Sequence, residues 1–197
     1  MRLAAIAKAI PLSFTALRAP LGPIIALFAI YYPDKTAFGI CLVAAFFSDI
    51  FDGMIARRLK LATTALRRLD SIADTLFYLA ATFAAWHLHS QAITERIVPL
   101  AVLLVLELGR YGLDMVKFGR EASYHMWSSK VWGIALFAGF YSLLVLGRDD
   151  LLISLAIYVG IVADLEGAAI SLVLREWRVD VPTFFHALAY RRRLTMG

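Results

Sequence analysis

Four aspartates in two closely spaced pairs are the residues of this chain best suited to chemistry. Asp49 and Asp52 are three positions apart, so on a helix they project from one face. Asp70 and Asp74 are four apart and share a face in the same way. Carboxylates are costly near a bilayer, and a strongly apolar chain that keeps four of them needs a reason. Because carboxylate oxygens suit Mg²⁺ and Mn²⁺, the two pairs predict a site for divalent cations.

Membrane-spanning helices are the elements predicted to position these pairs. Of the 197 residues, 61% are hydrophobic and the mean hydropathy is +0.73, which is far more apolar than a soluble domain. A hydrocarbon core about 30 Å thick needs about 20 apolar helical residues. We therefore predict an all-α integral membrane protein, a single domain over 1–197, with a short interfacial helix at 1–10 before the first span. Hydropathy gives six spans, at roughly 12–31, 36–57, 69–88, 96–116, 130–147 and 151–174.

The residues that carry and join the two pairs resemble the signature of the CDP-alcohol phosphotransferases, also called CDP-alcohol phosphatidyltransferases. That signature reads D-x-x-D-G-x-x-A-R, a spacer, then G-x-x-x-D-x-x-x-D. Seven of its eight fixed positions match, including Gly53, Ala56 and Arg57 after the first pair. At the one position that does not match, the second glycine of the signature, this chain has Leu66. Since a leucine fills room that a glycine leaves for the nucleotide, we expect one of three consequences: the helix shifts, the CDP moiety binds in a different pose, or the preference for the CDP-linked substrate is altered or lost.

This resemblance implies a transfer of a phosphatidyl or related group from a CDP-linked substrate, such as CDP-diacylglycerol, to a hydroxyl acceptor with release of CMP. It assigns the four aspartates to two Mg²⁺ or Mn²⁺ ions, and makes Asp74 also the general base. Gly53, Ala56 and Arg57 are assigned to the CDP moiety. Small residues let the nucleotide approach the helix, and an arginine pairs with phosphate oxygens. Family analogy also implies a homodimer.

A second stretch near the N-terminus adds to the resemblance. Residues 11–18 look like the P-N-x-L-T-x-x-R opening of family members, with Leu12 at the asparagine position. Thr15 would line the nucleotide pocket, or else bond to a backbone carbonyl of its own helix. Arg18 lies inside the first span, where an arginine needs a counter-charge or a phosphate.

Basic residues further along are candidates for binding the acceptor. The chain looks most like the phosphatidylglycerophosphate synthases, and this resemblance favours glycerol 3-phosphate as the acceptor. In family members that take a phosphorylated polyol, basic residues of this region bind its phosphate. The candidates are Arg110, Arg120 and Lys130. Inositol or its phosphate, serine, or a lipid are the alternative acceptors.

Acidic residues in the later spans have a structural interpretation beside a functional one. Arg110 and Asp114 share a helix face and can pair with each other. Asp164 and Glu166 interrupt the sixth span beside glycine and alanines, a composition typical of close helix packing with the acids facing the bundle interior. We expect these two acids to line that interior or to form a buried pair with Arg18 or Arg110.

The distribution of positive charge gives the orientation. The chain has 20 Lys and Arg against 15 Asp and Glu, and 17 of the 20 fall on one side of the six-span layout. The positive-inside rule then places both termini and the site on the cytoplasmic side of the cell membrane. Topology accounts for the basic residues, so nucleic-acid binding is not expected. The C-terminal segment 175–197 is predicted to bind anionic membrane lipids.

Two other classes of function fit parts of the pattern. A small transporter also keeps acids in the membrane, but near the midplane and often with paired inverted halves. Here the acids cluster toward one face, and the halves are not visibly similar. A non-catalytic membrane scaffold with a decayed site is supported by Leu66 alone. Four aspartates with glycine, alanine and arginine at the family spacing favour the enzyme.

Overall fold

The computed structural model describes residues 18–58 and 64–195. Within these ranges the regular structure is helical, apart from one isolated β-bridge between Ser123 and Val179. The all-α prediction is confirmed. The predicted interfacial helix at 1–10 and the nucleotide-pocket residue Thr15 lie outside the described residues.

The described part of each of the six predicted spans is helical to within one residue of its ends. In chain order the helices are α1, described over Arg18–Tyr31, α2 (Lys35–Arg58), α3 (Thr64–Leu88), the short α4 (Ser90–Thr94), α5 (Ile97–Phe118), α6 (Trp127–Phe140), α7 (Leu151–Val173) and α8 (Phe184–Thr195). Helix α6 continues directly into a π-helical segment, Tyr141–Leu146. Within residues 18–58 and 64–195, three helices are long and apolar enough to cross a membrane: α2, α6 with its π-helical continuation, and α7. That α1, α3 and α5 also cross remains a prediction.

The chain folds into two compact units. The first comprises Met1–Ile93 and Phe140–Asp149, and the second comprises Thr94–Gly139 and Asp150–Gly197. The first unit therefore holds α1, α2, α3 and the π-helical segment, while the second holds α5, α7, α8 and almost all of α6. Both aspartate pairs belong to the first unit.

In the first unit, close packing of α1 on α3 fixes the position of Arg18. A Cβ atom added at Gly22 would lie 3.4 Å from the Leu76 carbonyl oxygen and 3.5 Å from the Phe77 Cα, so glycine lets the two backbones come together. Arg18 is one helical turn before Gly22, and Asp74 lies less than one turn before Phe77. The contact thus brings the arginine side of α1 to the aspartate side of α3.

Helix α2 begins with a polar cap that sets the register of Asp49. Pro33 separates α1 from α2 and disfavours a continuous helix. The Asp34 carboxylate then accepts a hydrogen bond from the Thr36 backbone N–H at 2.7 Å, as an N-cap residue does. From there α2 runs unbroken past Asp49, with Phe38 and Leu42 buried in the core.

In the second unit, one face of α7 carries Gly160, Asp164 and Gly167, spaced i, i+4 and i+7. The Trp132 indole lies directly over Gly160, and the Arg110 side chain lies over Gly167. Helix α8 packs on the end of α7 through an apolar cluster. The buried members of that cluster are Tyr124, Met126, Ile170, Leu174, Val181 and Ala187.

Gly160→Ala is expected to destabilise the second unit by about 1–3 kcal/mol, because the core there is already full. The added Cβ would lie 2.6 Å from the Trp132 Nε1 atom, closer than real contacts allow. Gly109→Ala is the matched control, since no described atom lies within 4 Å of its added Cβ. Thermal unfolding of both variants in detergent measures the difference. Equal melting temperatures would show that the indole is not packed on Gly160.

Candidate metal and active site

Three of the four predicted aspartates converge on the side chain of Arg18. Asp49 comes from α2, and Asp70 and Asp74 come from successive turns of α3. The Arg18 Nη1 atom lies 3.3 Å from Asp49 Oδ1 and also donates to Asp74 Oδ1, while Nη2 donates to Asp70 Oδ1. One guanidinium group therefore joins the carboxylates of two helices from a third.

At this site the Arg18 side chain is buried, whereas the three carboxylates are partly exposed to solvent. The Arg18 side chain has no solvent exposure, whereas the side chain of Asp49 is 50% exposed. Those of Asp70 and Asp74 are 28% and 32% exposed. An ion or a phosphate can therefore approach the carboxylate oxygens from the open side without unfolding a helix.

The oxygen set fits a divalent cation. One carboxylate oxygen from each of Asp49, Asp70 and Asp74 lies within 4.8 Å of the others. Mg²⁺ and Mn²⁺ take such oxygens as ligands at about 2.0–2.2 Å, and a small carboxylate side-chain movement closes the remaining distance. The guanidinium at the same place shows that these oxygens already stabilise positive charge.

The remaining residues of the predicted motif are only partly described. Gly53 lies half-buried in α2, one residue after Asp52. The backbones of the other predicted residues are helical, but their side chains lie outside what the structure describes; these are Asp52, Ala56 and Arg57 in α2 and Leu66 in α3. Their predicted roles toward metal and CDP stay predictions.

The three candidate acceptor-binding residues each contact a different partner. Arg110 donates through Nε to Asp164 Oδ1 at 3.0 Å, and its Nη1 lies 3.9 Å from Asp114 Oδ2. The Arg120 guanidinium lies 4.9 Å from the ring centre of Trp177, and the Lys130 ammonium lies 4.1 Å from that of Trp127. The described contacts therefore distribute these cations over two carboxylates and two aromatic rings.

A polar cluster in the second unit contains one of the expected ion pairs, between Asp164 and Arg110. Asp164 is buried and pairs with Arg110, one of the two arginines expected as its partner. The other carboxylate oxygen, Asp164 Oδ2, is buried with no hydrogen-bond partner among the described residues. Glu166 has a structural position, because it accepts hydrogen bonds from the Ser128 hydroxyl and from the Phe184 backbone N–H at the start of α8.

Sequence reasoning missed the hydroxyl groups of this cluster. Ser171 donates to the buried Asp114 carboxylate, and Tyr124 OH lies 2.9 Å from Ser171 Oγ. Burial raises the pKa of the Tyr124 hydroxyl above its ordinary value. The available signal was spacing, since Ser171 follows Asp164 by seven residues and so shares its face of α7.

Comparison with known proteins adds a family match. A family model described as CDP-alcohol phosphatidyltransferase matches residues 8–172. The match covers most of the chain and includes both aspartate pairs and Arg18. No curated protein and no solved structure gave a match.

Proposed function

Since the chain belongs to the CDP-alcohol phosphatidyltransferase family, we propose that it transfers the phosphatidyl group of a CDP-linked lipid to a hydroxyl acceptor and releases CMP. The family is a transferase family of phospholipid biosynthesis that uses divalent metal ions. The observation that carries the proposal is the convergence of Asp49, Asp70 and Asp74 from two helices around one cation.

Asp49, Asp70 and Asp74, with Asp52 as the fourth predicted ligand, are proposed to hold two Mg²⁺ or Mn²⁺ ions. Bound there, such ions neutralise charge on the pyrophosphate and on the departing CMP. Asp74 is proposed to take the proton of the acceptor hydroxyl. The acceptor oxygen then forms a bond to the lipid-bearing phosphorus, and the bond from that phosphorus to the CMP oxygen breaks.

The CDP moiety is proposed to bind along α2, beside the residues that follow the first aspartate pair. Gly53, Ala56 and Arg57 follow the first aspartate pair on α2 and lie within eight residues of Asp49, which is just over two helical turns. A small-residue surface admits a nucleotide, and a guanidinium pairs with phosphate oxygens in a bidentate manner. Thr15 is the further candidate from the N-terminal stretch.

The acceptor is proposed to be a phosphorylated polyol, glycerol 3-phosphate first and inositol phosphate beside it, or else an alcohol without a phosphate group to bind there: inositol, serine or a lipid. Arg110, Arg120 and Lys130 are the candidates for binding a phosphorylated acceptor. The contacts of Arg110 with Asp164 and Asp114 favour the second possibility, because two carboxylates offset the positive charge that would attract a phosphate. Inositol and serine therefore stand beside glycerol 3-phosphate in the test below.

The proposed location is the cell membrane, with the site on its cytoplasmic side. Three long apolar helices and the one-sided distribution of Lys and Arg support this orientation. CDP-linked lipids have polar headgroups at the membrane surface, so a site near a helix end suits them. A homodimer is proposed from family analogy.

CMP release by the purified protein tests the proposal. CDP-diacylglycerol is supplied with Mn²⁺ or Mg²⁺ and a panel of acceptors: glycerol 3-phosphate, inositol, inositol phosphate and serine. We expect metal-dependent CMP formation with one acceptor, and loss of that activity in EDTA. CMP formation that persists without metal would contradict the metal-dependent mechanism. If no acceptor yields CMP and no Mn²⁺ binds, the scaffold or transporter interpretation replaces the enzyme.

A further inference from the structure

Arg18 occupies the place where the proposed metal ions would bind. Its two terminal nitrogens contact one oxygen each of Asp49, Asp70 and Asp74. Those three carboxylates are also the ones whose oxygens lie close enough together to hold an ion. The described part of the site thus has three negative charges and one positive charge, and the positive charge comes from the protein itself.

A divalent ion and this guanidinium cannot share the carboxylates in the same arrangement. An ion needs the carboxylate oxygens as direct ligands, whereas Arg18 uses an oxygen of each carboxylate as a hydrogen-bond acceptor. The two cations would also repel each other across a few ångströms. Metal binding and the observed Arg18 contacts are therefore competitive.

The buried position of Arg18 determines where the displaced guanidinium can go. Its side chain has no solvent exposure, and α1 is packed on α3 at Gly22, so the backbone at Arg18 is held close to the site. A guanidinium that leaves these carboxylates while it stays buried needs another anion. The anion that arrives at the same site in the proposed reaction is the pyrophosphate of the CDP-linked substrate.

We propose that Arg18 is an exchangeable counter-ion of the aspartate site. Before the substrate binds, its guanidinium neutralises Asp49, Asp70 and Asp74. When divalent ions and the CDP-linked substrate bind, it moves from the carboxylates to the pyrophosphate, which a planar guanidinium contacts in a bidentate manner. This proposal rests on the proposed function and adds an order to it: metal binds weakly until the phosphates give Arg18 a new partner.

Mn²⁺ titration without nucleotide tests the exchange. We expect Arg18→Gln to bind Mn²⁺ at least about tenfold more tightly than the wild type, because a competing cation has been removed. Adding CDP should tighten Mn²⁺ binding in the wild type more than in Arg18→Gln. Arg148→Gln is the matched control, since it removes the same charge from an exposed position in the same unit and should leave the Mn²⁺ affinity unchanged.

Arginine labelling of the wild type provides a second readout that needs no variant to fold. Phenylglyoxal modification of Arg18, followed by mass spectrometry of the peptide, is expected to be slow in metal-free protein. Mn²⁺ alone should accelerate it, because the guanidinium leaves the carboxylates. Mn²⁺ together with CDP should slow it again. Modification of Arg148 should be the same in all three conditions.

The possible results separate this inference from the proposed function. Equal Mn²⁺ affinities for wild type and Arg18→Gln, or Arg18 labelling that Mn²⁺ does not change, would overturn the exchange while leaving the metal site intact. A weaker affinity in a folded Arg18→Gln would also overturn it, since Arg18 would then support the metal. If neither protein binds Mn²⁺ with or without CDP, the metal site and the exchange are both wrong.

Discussion

Asp74→Asn is expected to lower the maximal rate of CMP formation by at least about a hundredfold, the usual contribution of a general base. The amide has the size of the carboxylate but cannot accept the acceptor's proton. Because Asp74 is also a predicted ligand, the variant should bind Mn²⁺ less tightly as well. The decisive comparison is therefore the rate at saturating Mn²⁺, where weaker metal binding no longer limits turnover.

Asp70→Asn is the matched comparison for this prediction. Asp70 lies one turn before Asp74 on α3 and also contacts Arg18, but it has only a ligand role in the proposed mechanism. Its variant should recover much of its rate at high Mn²⁺, while Asp74→Asn should not. Asp149→Asn changes an exposed carboxylate of the same unit and should behave as the wild type. Recovery of Asp74→Asn at high Mn²⁺ would remove the base assignment and leave Asp74 a ligand.

The convergence of the aspartates could be anticipated from sequence because helical spacing fixes it locally. Asp70 and Asp74 lie on one face of α3 wherever that helix packs. Because an apolar chain that keeps four such carboxylates needs a reason, the sequence also predicted that the two aspartate pairs form a cation site. The structure brings Asp49 to the same place, while the metal and base roles of these residues remain predictions.

The partner of Arg18 could not be predicted from spacing. An arginine within a span indicated that a counter-charge was needed, yet aspartates and glutamates on several helices were available. The choice depends on the packing of α1 against α3 at Gly22, which is a contact between residues more than fifty positions apart. Hydropathy predicts which segments form helices, but not which helices pack against each other.

Of the six spans predicted from sequence, those in α3 and α5 are among the three that remain predictions. Helices α3 and α5 carry several of the charged residues of the two polar clusters, and neither contains a stretch of span length that is both as apolar and as poor in charge as those of α2, α6 and α7. The π-helical segment at Tyr141–Leu146 was missed because an apolar run has the same composition in either helix type.

Asp164→Ala is expected to lower the free energy of unfolding by about 2–3 kcal/mol, because it removes one partner of a buried ion pair and leaves the other. Arg110 would keep the more distant Asp114 carboxylate, at 3.9 Å. Thermal or detergent unfolding measures the loss. Glu176→Ala is the control, since its pair with Arg178 is exposed at both ends and should contribute less than about 1 kcal/mol. Equal losses would show that the Arg110–Asp164 pair is no more stabilising than a surface pair.

The double variant Arg110→Met with Asp164→Leu separates stability from acceptor binding. Replacing both members of a buried pair by apolar side chains is often neutral, so most of the lost stability should return. The restored protein then lacks the guanidinium. If Arg110 binds an acceptor phosphate, the KM for a phosphorylated acceptor should rise at least about tenfold, while the KM for the CDP-linked substrate stays unchanged. If the KM values for acceptor and CDP-linked substrate are both unchanged, Arg110 is a structural residue whose role is to join α5 to α7 through its carboxylate contacts.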